Sequence, residues 1–456
     1  MANPTRQSVL YPEPFSKPVV VQFDMPSASS DGGGVLLGAL DRGLGLTERL
    51  ASELHDDRDL SKVDHTYLEL FRQRVFAIAL GYPDCNDAAR LAGDPVLKEL
   101  SGRRGLQGAP LASQPTLSRF ENAPSARELV RMGRSLESFV IARHKKRRGR
   151  KVRRITIDLD PTDDPTYGQQ QFTFYHGYYD TWCYLPQLGF LTFDDEPEQF
   201  LFHARLRPGN STGPRGAIPL LRRTVAALRQ AFPQAEVRVR LDAGFATPAI
   251  FACLEALEVG YAVGIAQNDV LLRLSAPCRR WAQFLSSTYD RPVQFFSAVS
   301  YRARTWPKPR RIVVKAEVVH LKGREPRENP RFVVSNLPRS AEKVYDFYRG
   351  RGEIENRIKE LHHGLEIDRT SCSRFLANQF RVLQAATGYL LFQELRLRAR
   401  GTELHRAQVS TIRERLLKIG VWVEESVRRI VLHFPSSHPW QHLWCPIARA
   451  TGAVLT

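Results

Sequence analysis

The pattern of apolar and polar positions changes character twice along this 456-residue chain. From about residue 36 to 113, apolar residues recur at three- and four-residue spacing, as over 67–80, and predict short helices. Breaks at Gly81-Tyr82-Pro83 and Gly93-Asp94-Pro95 separate them. Ser125 and Glu128 stand at capping-box spacing. They predict a further helix that runs into a cationic stretch, a favourable end for its dipole. The first 35 residues, rich in Pro, Ser and Gly, read as a disordered leader.

At Ile155 the period becomes two. Residues 155–160 alternate strictly, with Ile155, Ile157 and Leu159 on one face and Thr156, Asp158 and Asp160 on the other. Short aromatic and β-branched runs follow at 171–175, 178–185, 189–193 and 200–206. A helix is expected at 217–231, a strand from Val237 to Asp242, a helix at 247–257 and a strand at 261–265. Residues 268–338 break this rhythm with Pro-, Arg- and Trp-containing loops and two evident strands, 311–320 and 331–335, and read as a β-rich insertion. Long helical stretches are expected at 341–365 and 377–399, then a helix at 411–417 and a strand at 428–433.

Charge sharpens this outline. The net +18 is unevenly placed: residues 141–154 carry +9, 155–270 carry −6, 271–340 carry +11, and 1–120 only −2. Two basic blocks around an acidic one suit a polyanionic partner better than a general solubility device, and phosphate-backbone contact is the better reading. Lys145, Lys146, Arg147 and Arg148 are the candidate contacts in the first block. No apolar run approaches the ~18 residues of a spanning helix, and no signal-peptide pattern opens the chain, so a membrane partner is not expected. The six cysteines are scattered without a CxxC pair, and His362-His363 with Cys372 is not a zinc spacing.

The chemistry concentrates in a few acidic positions. Asp158 and Asp160 share one strand face, and Asp242 ends a second strand before a Gly turn, where α/β folds place their sites. Carboxylates of this kind suit magnesium or manganese. Tyr348, Arg351, Glu355, Lys359 and His362 are spaced 3, 4, 4 and 3, along one face of the expected 341–365 helix. Such a face is a poor core surface and a good phosphate-facing one.

Tyr348-x2-Arg351-x3-Glu355 resembles the Tyr-Arg-Glu-Lys signature of DDE transposases from bacterial insertion sequences. The likeness is closer to the insertion-sequence thirteen-eighty group, through Leu159-Asp160-Pro161-Thr162-Asp163-Asp164, Gly177-Tyr178-Tyr179, Leu206-Arg207-Pro208-Gly209-Asn210, Leu241-Asp242-Ala243-Gly244-Phe245 and Glu355-Asn356-Arg357-Ile358-Lys359-Glu360-Leu361. The resemblance implies a multidomain α+β protein with an N-terminal helical domain. Its RNase H-like α/β catalytic core is interrupted by the β-rich insertion. The chain would then divide into a disordered leader (1–35), a helical DNA-binding domain (36–140), a basic linker (141–154), the first part of the core (155–267), the insertion (268–338), a second part with the Glu-bearing helix (339–400) and a C-terminal region (401–456).

It also implies a triad of Asp160, Asp242 and Glu355 holding two magnesium ions, for which manganese can substitute. Asp158 stays open as the first ligand, although the D-x-T pattern of Asp160-Pro161-Thr162 favours Asp160. Tyr348 and Arg351 would contact phosphates beside the transferred DNA end. The last Lys of the signature falls at His362, a weaker and pH-dependent phosphate contact, for which Lys359 can substitute. The implied partners are double-stranded DNA with terminal inverted repeats and target DNA, engaged by a homodimer in a synaptic complex. The implied location is cytoplasmic and nucleoid-associated in a bacterium. Two other classes fit the residues: an inactive relative that only binds DNA, and a structure-selective metal-dependent nuclease.

Overall fold

In the computed structural model the described residues are 9–11, 16–320, 322 and 324–454. The chain divides into two compact units. One comprises Met1–Leu44, Asp59–Ser118 and Glu394–Thr456, and the other Gly45–Arg58 and Arg119–Gln393.

The second unit is mixed α+β and is built around one large sheet. Helix α1 (Ala126–Arg148) starts with the capping box expected at Ser125 and Glu128. It lies on the sheet through His144, whose ring stacks 4.7 Å from that of Phe193. Strand β1 (Arg154–Pro161) buries Ile155, Ile157 and Leu159 completely. Strands β2 (Gln187–Phe193) and β3 (Phe200–Arg205) follow in antiparallel pairing, β2 against β1 and β3 against β2. Helix α2 (Ala217–Ala231) leads to β4 (Glu236–Leu241), which returns parallel to β1 on its other side. Helix α3 (Pro248–Ala256), capped by the Thr247 hydroxyl, leads to β5 (Gly260–Ile265), parallel to β4.

The next segment extends this sheet. Helices α4 (Asp269–Leu274) and α5 (Ala276–Tyr289) precede strands β6 (Val293–Tyr301), β7 (Arg310–Val319) and β8 (Arg331–Ser335). The strand order is β6-β7-β8-β5-β4-β1-β2-β3, with the two-residue strand Arg327–Glu328 on β7. The stretch expected to be β-rich therefore also holds two helices and a third long strand. Their burial is sparse: α5 buries only Cys278, Ala282 and Ser286 while exposing Trp281 and Phe284, and no residue of the edge strand β6 is fully buried.

The long helix expected over 341–365 is two helices, α6 (Ala341–Arg349) and α7 (Gly352–Leu365). At the break, a Cβ on Gly350 would collide with the guanidinium of Arg240, so the close approach requires glycine there. Helix α6 seats Val344 in a core with Ala262, Val313, Val333 and Leu337. Helix α8 (Phe375–Arg398) follows, and its residues up to Gln393 belong to this unit.

In the other unit, the helices Val35–Leu44, Tyr67–Leu80 and Pro95–Ser101 combine with the C-terminal segment, whose strand Val421–Glu425 pairs with Ala28–Ser29 and Ile430–His433. Buried Asp31 accepts from the Tyr82 hydroxyl at 2.8 Å and pairs with Lys418 at 2.7 Å. Residues 1–8 and 12–15 of the expected leader lie outside the described residues. Its glycine run is not disordered: Gly32–Gly34 forms a buried turn at the head of Val35–Leu44.

Candidate active site

Strands β1 and β4 run parallel in a register that pairs Leu159 with Leu241. One residue further, Asp160 and Asp242 stand level at adjacent strand ends. Asp242 also organises the turn that follows, its Oδ1 accepting from the Gly244 amide at 3.0 Å. Two residues earlier on the same face, Asp158 is fully buried and register-paired with Arg240. Arg240 donates from Nε to Oδ1 and from Nη2 to Oδ2, both at 2.8 Å, and Gln199 donates to Oδ2 at 3.2 Å. Burial lifts the Asp158 carboxyl above its ordinary range, with Arg240 acting against it. The remaining Arg240 nitrogen donates to the Phe347 carbonyl at 3.0 Å, and its guanidinium lies 5.1 Å from the Phe347 ring.

Glu355, exposed on the first turns of α7, is tied to Asp160 by Arg351 at the α6–α7 junction. Arg351 donates from Nη1 to Asp160 Oδ2 at 2.9 Å and from Nη2 to Glu355 Oε1 at 2.8 Å. The Asp160 carboxyl is pushed up to about 7 by burial first; Arg351 pulls it down, and Asp242 and Glu355 push it up again. Asp242 is likewise raised by burial, opposed by Arg351 and by backbone amides. Arg351 holds its proton more tightly than a free guanidinium, because Asp160, Tyr348 and Asp242 outweigh its burial. Tyr348 approaches this group over bare backbone: a Cβ on Gly264 would collide with its hydroxyl.

Asp160 and Glu355 share one guanidinium and Asp242 lies near enough to raise Asp160; carboxylates are the kind of donor that hard divalent cations take. Among the described residues, no group of three or more His, Cys, Asp or Glu side chains stands close enough to hold a single ion. At this site Arg351 supplies the positive charge between Asp160 and Glu355. His362, His363 and Cys372 form no metal cluster either.

The other sequence-predicted residues separate. Because the helix breaks, Tyr348 lies on α6, Arg351 at the junction, and only Glu355, Lys359 and His362 share α7. Lys359 is exposed. His362 turns inward, Nε2 lying 3.2 Å from Thr162 Oγ1 and Nδ1 3.0 Å from Asp368 Oδ2. The basic residues read as a linker form the last turn of α1. Lys145 and Lys146 are exposed there. Arg147 pairs with both oxygens of Glu196 at 2.7 and 2.5 Å, and Arg148 pairs with Asp194 and Glu196. Sequence reasoning missed Arg240 and Gln199 as partners of Asp158. Arg240 was visible only as a cation at an alternating position of an inner strand. It also missed Tyr179, whose phenol is raised by burial and by Asp163 and Asp160.

Two aspartates at parallel strand ends and a helical glutamate bound to one of them through an arginine thus gather at one end of the sheet. Residues 12–451 match the family described as Transposase DDE domain group 1, and the chain belongs to that family. It is therefore a transposase, a DNA-binding enzyme of metal-dependent DNA cleavage and transfer. No curated protein matches it. Among the described residues no helix is long and apolar enough to cross a membrane.

Proposed function

We propose that this transposase cuts and joins DNA at the terminal inverted repeats of a bacterial insertion sequence of the thirteen-eighty group, with Asp160, Asp242 and Glu355 as its catalytic carboxylates. The observation that carries this reading is the level placement of Asp160 and Asp242 at adjacent strand ends, with Glu355 bound to Asp160 through Arg351. An RNase H-like core is supported by the order β3-β2-β1-β4-β5, in which an antiparallel trio is extended by two parallel strands. The segment 268–338 enters between Asp242 and Glu355, as the insertion reading requires.

The three carboxylates would hold two magnesium ions, with manganese as a substitute. When bound, these ions supply the charge that activates the attacking oxygen and steadies the leaving one. Asp160 serves as the first ligand in preference to Asp158, whose oxygens are already engaged by Arg240 and Gln199. Arg351 partly offsets the charge of Asp160 and Glu355 in the resting protein and turns its planar fork to a DNA phosphate once they are otherwise occupied. Tyr348 donates its hydroxyl to the same phosphate. Lys359 and the exposed pair Lys145 and Lys146 hold the DNA backbone. His362, held by Thr162 and Asp368, positions the segment after Asp160 and takes no direct part in gripping phosphate. A homodimer brings two DNA ends together in the synaptic complex, at the bacterial nucleoid.

The test is Asp242→Ala on a duplex carrying the element end, with magnesium. Cleavage should vanish while DNA binding persists; retained cleavage overturns the triad. Strand-transfer products from the unaltered protein separate a transposase from a plain nuclease, and binding without nicking would identify an inactive relative.

A further inference from the structure

Between β1, which ends beside Asp160, and β2, the chain forms a small three-stranded sheet from Asp164–Pro165, Phe174–His176 and Thr181–Tyr184. Over residues 167–182 six large aromatic side chains are exposed. Tyr167 is 94% and Tyr178 85% accessible, and Phe172, Phe174, Tyr175 and Trp182 range from 37% to 57%. Single exposed rings are ordinary, but six of them this close in the chain, with Tyr175 and Trp182 register-paired and in ring contact, mark a surface that meets something.

The rings are presented on a fixed base. The Gln171 amide donates to the Ser373 carbonyl at 2.9 Å, the Tyr184 hydroxyl to the Gln171 carbonyl at 2.7 Å, and the Thr370 hydroxyl to buried Asp164 at 2.8 Å. Phe172 is held at φ 64°, a left-handed conformation that costs a bulky residue energy and is retained where the surroundings impose it. The patch also adjoins the carboxylates. Tyr179, whose ring centroid lies 5.0 Å from that of Tyr178, is close enough to Asp160 and Asp242 to feel both charges.

Charge decides what this surface can hold. Residues 155–204 contain no Lys or Arg and nine Asp or Glu, so the hairpin itself brings no cation to a phosphate. Beside a site that handles DNA, the component attracted by neutral flat rings is the base face, which every nucleotide offers whatever its sequence.

We propose that this aromatic hairpin is a stacking platform for unpaired bases of the DNA strand that passes the carboxylate site. The inference rests on the reading of Asp160, Asp242 and Glu355 as the active centre.

The experiment compares full-length protein with two variants, one carrying Tyr167→Ser, Tyr178→Ser and Trp182→Ser, and one carrying Phe at the same three positions. All three positions are exposed, so the fold should survive. Binding is measured to a short duplex with an unpaired tail and to the same duplex fully paired, across a salt series. The unaltered protein should favour the tailed duplex. The Ser variant should lose that preference, with affinity for the tail falling about tenfold or more. The Phe variant should keep it, and all three should share one salt slope. A Ser variant that keeps the preference overturns the proposal. So does a lowered salt slope, which would make the hairpin a phosphate contact. So does a change of oligomeric state without DNA, which would make it a surface for a second copy. Cleavage by Asp242→Ala, measured separately, decides the active-site reading on its own.

Discussion

Asp158 and Asp160 lie two residues apart on one strand, face the same way, and each meets an arginine. Inside the sheet, Asp158 receives its arginine from the register-paired position of the neighbouring strand. Both its oxygens are bonded, and Arg240 is itself fixed by the Phe347 carbonyl and ring. At the strand end, Asp160 receives Arg351 from a helix junction, and that guanidinium also serves Glu355, with Asp242 alongside. One carboxylate is matched by one guanidinium in the first case; in the second, two carboxylates share one and a third stands nearby. The first arrangement is a closed structural pair. The second remains short of positive charge, and it is there that the proposed cations would bind.

The comparison can be broken most severely at the strand end. Asp160→Ala or Asp242→Ala should lower cleavage by at least about a thousandfold, since on the proposed reading several kcal/mol of transition-state stabilisation depend on these carboxylates. The fold should persist, as judged by a single cooperative urea transition. Inside the sheet the effects reverse. Arg240→Met leaves a buried carboxylate unpaired and should cost about 3–5 kcal/mol of stability. Adding Asp158→Leu should recover most of that loss and retain cleavage. A well-folded double variant as inactive as Asp160→Ala would make Asp158 a ligand after all.

A subtler effect concerns pH. The folded-state Asp160 carboxyl stands at about 7, above the ~3.9 of an unfolded chain. Between these values the folded protein binds the extra proton, so metal-free stability falls as pH rises from about 4 to about 7. Magnesium must displace that proton below about 7, so the thermal shift it produces should be larger at pH 8 than at pH 6. Equal shifts at both would detach Asp160 from cation binding. The smallest expected effect divides the basic turn of α1. Lys145→Ala with Lys146→Ala should lower the salt slope of DNA binding by about 0.9 per lost phosphate contact, with little change in stability. Arg147→Ala should leave the slope alone and cost about 1–3 kcal/mol, because it strips the half-buried Glu196 of its bidentate partner.

Local pattern was a sound guide where an element buries one strong face. The strict alternation at 155–160 became β1, helix α2 matched its expected bounds of 217–231, and Ser125 with Glu128 formed the capping box. It failed where burial is weak or a single residue acts through a distant partner. Helices α4 and α5 and edge strand β6 carry little buried stripe to read. Gly350 lies inside the stretch whose periodicity predicts one helix over 341–365. Its role at the break depends on Arg240, more than a hundred residues earlier in the chain. The glycine run at 32–34 had the composition of a flexible leader, and only its packing shows that it is buried.

The sequence by itself determined the kinds of group available: acids at strand ends, an aromatic, arginine and glutamate at fixed spacing, and basic blocks either side of an acidic one. These follow from residue identity and local periodicity, which the chain carries without folding. Tertiary structure alone decided which charges neutralise each other. Strand register assigns Arg240 to Asp158 and leaves Asp160 level with Asp242, and the helix break carries Arg351 to both Asp160 and Glu355. It also determined that Arg147 and Arg148 are engaged by acids while Lys145 and Lys146 are exposed. Ion pairing falls off over a few ångströms, so such pairings are settled by distances in space, which separation along the chain does not encode.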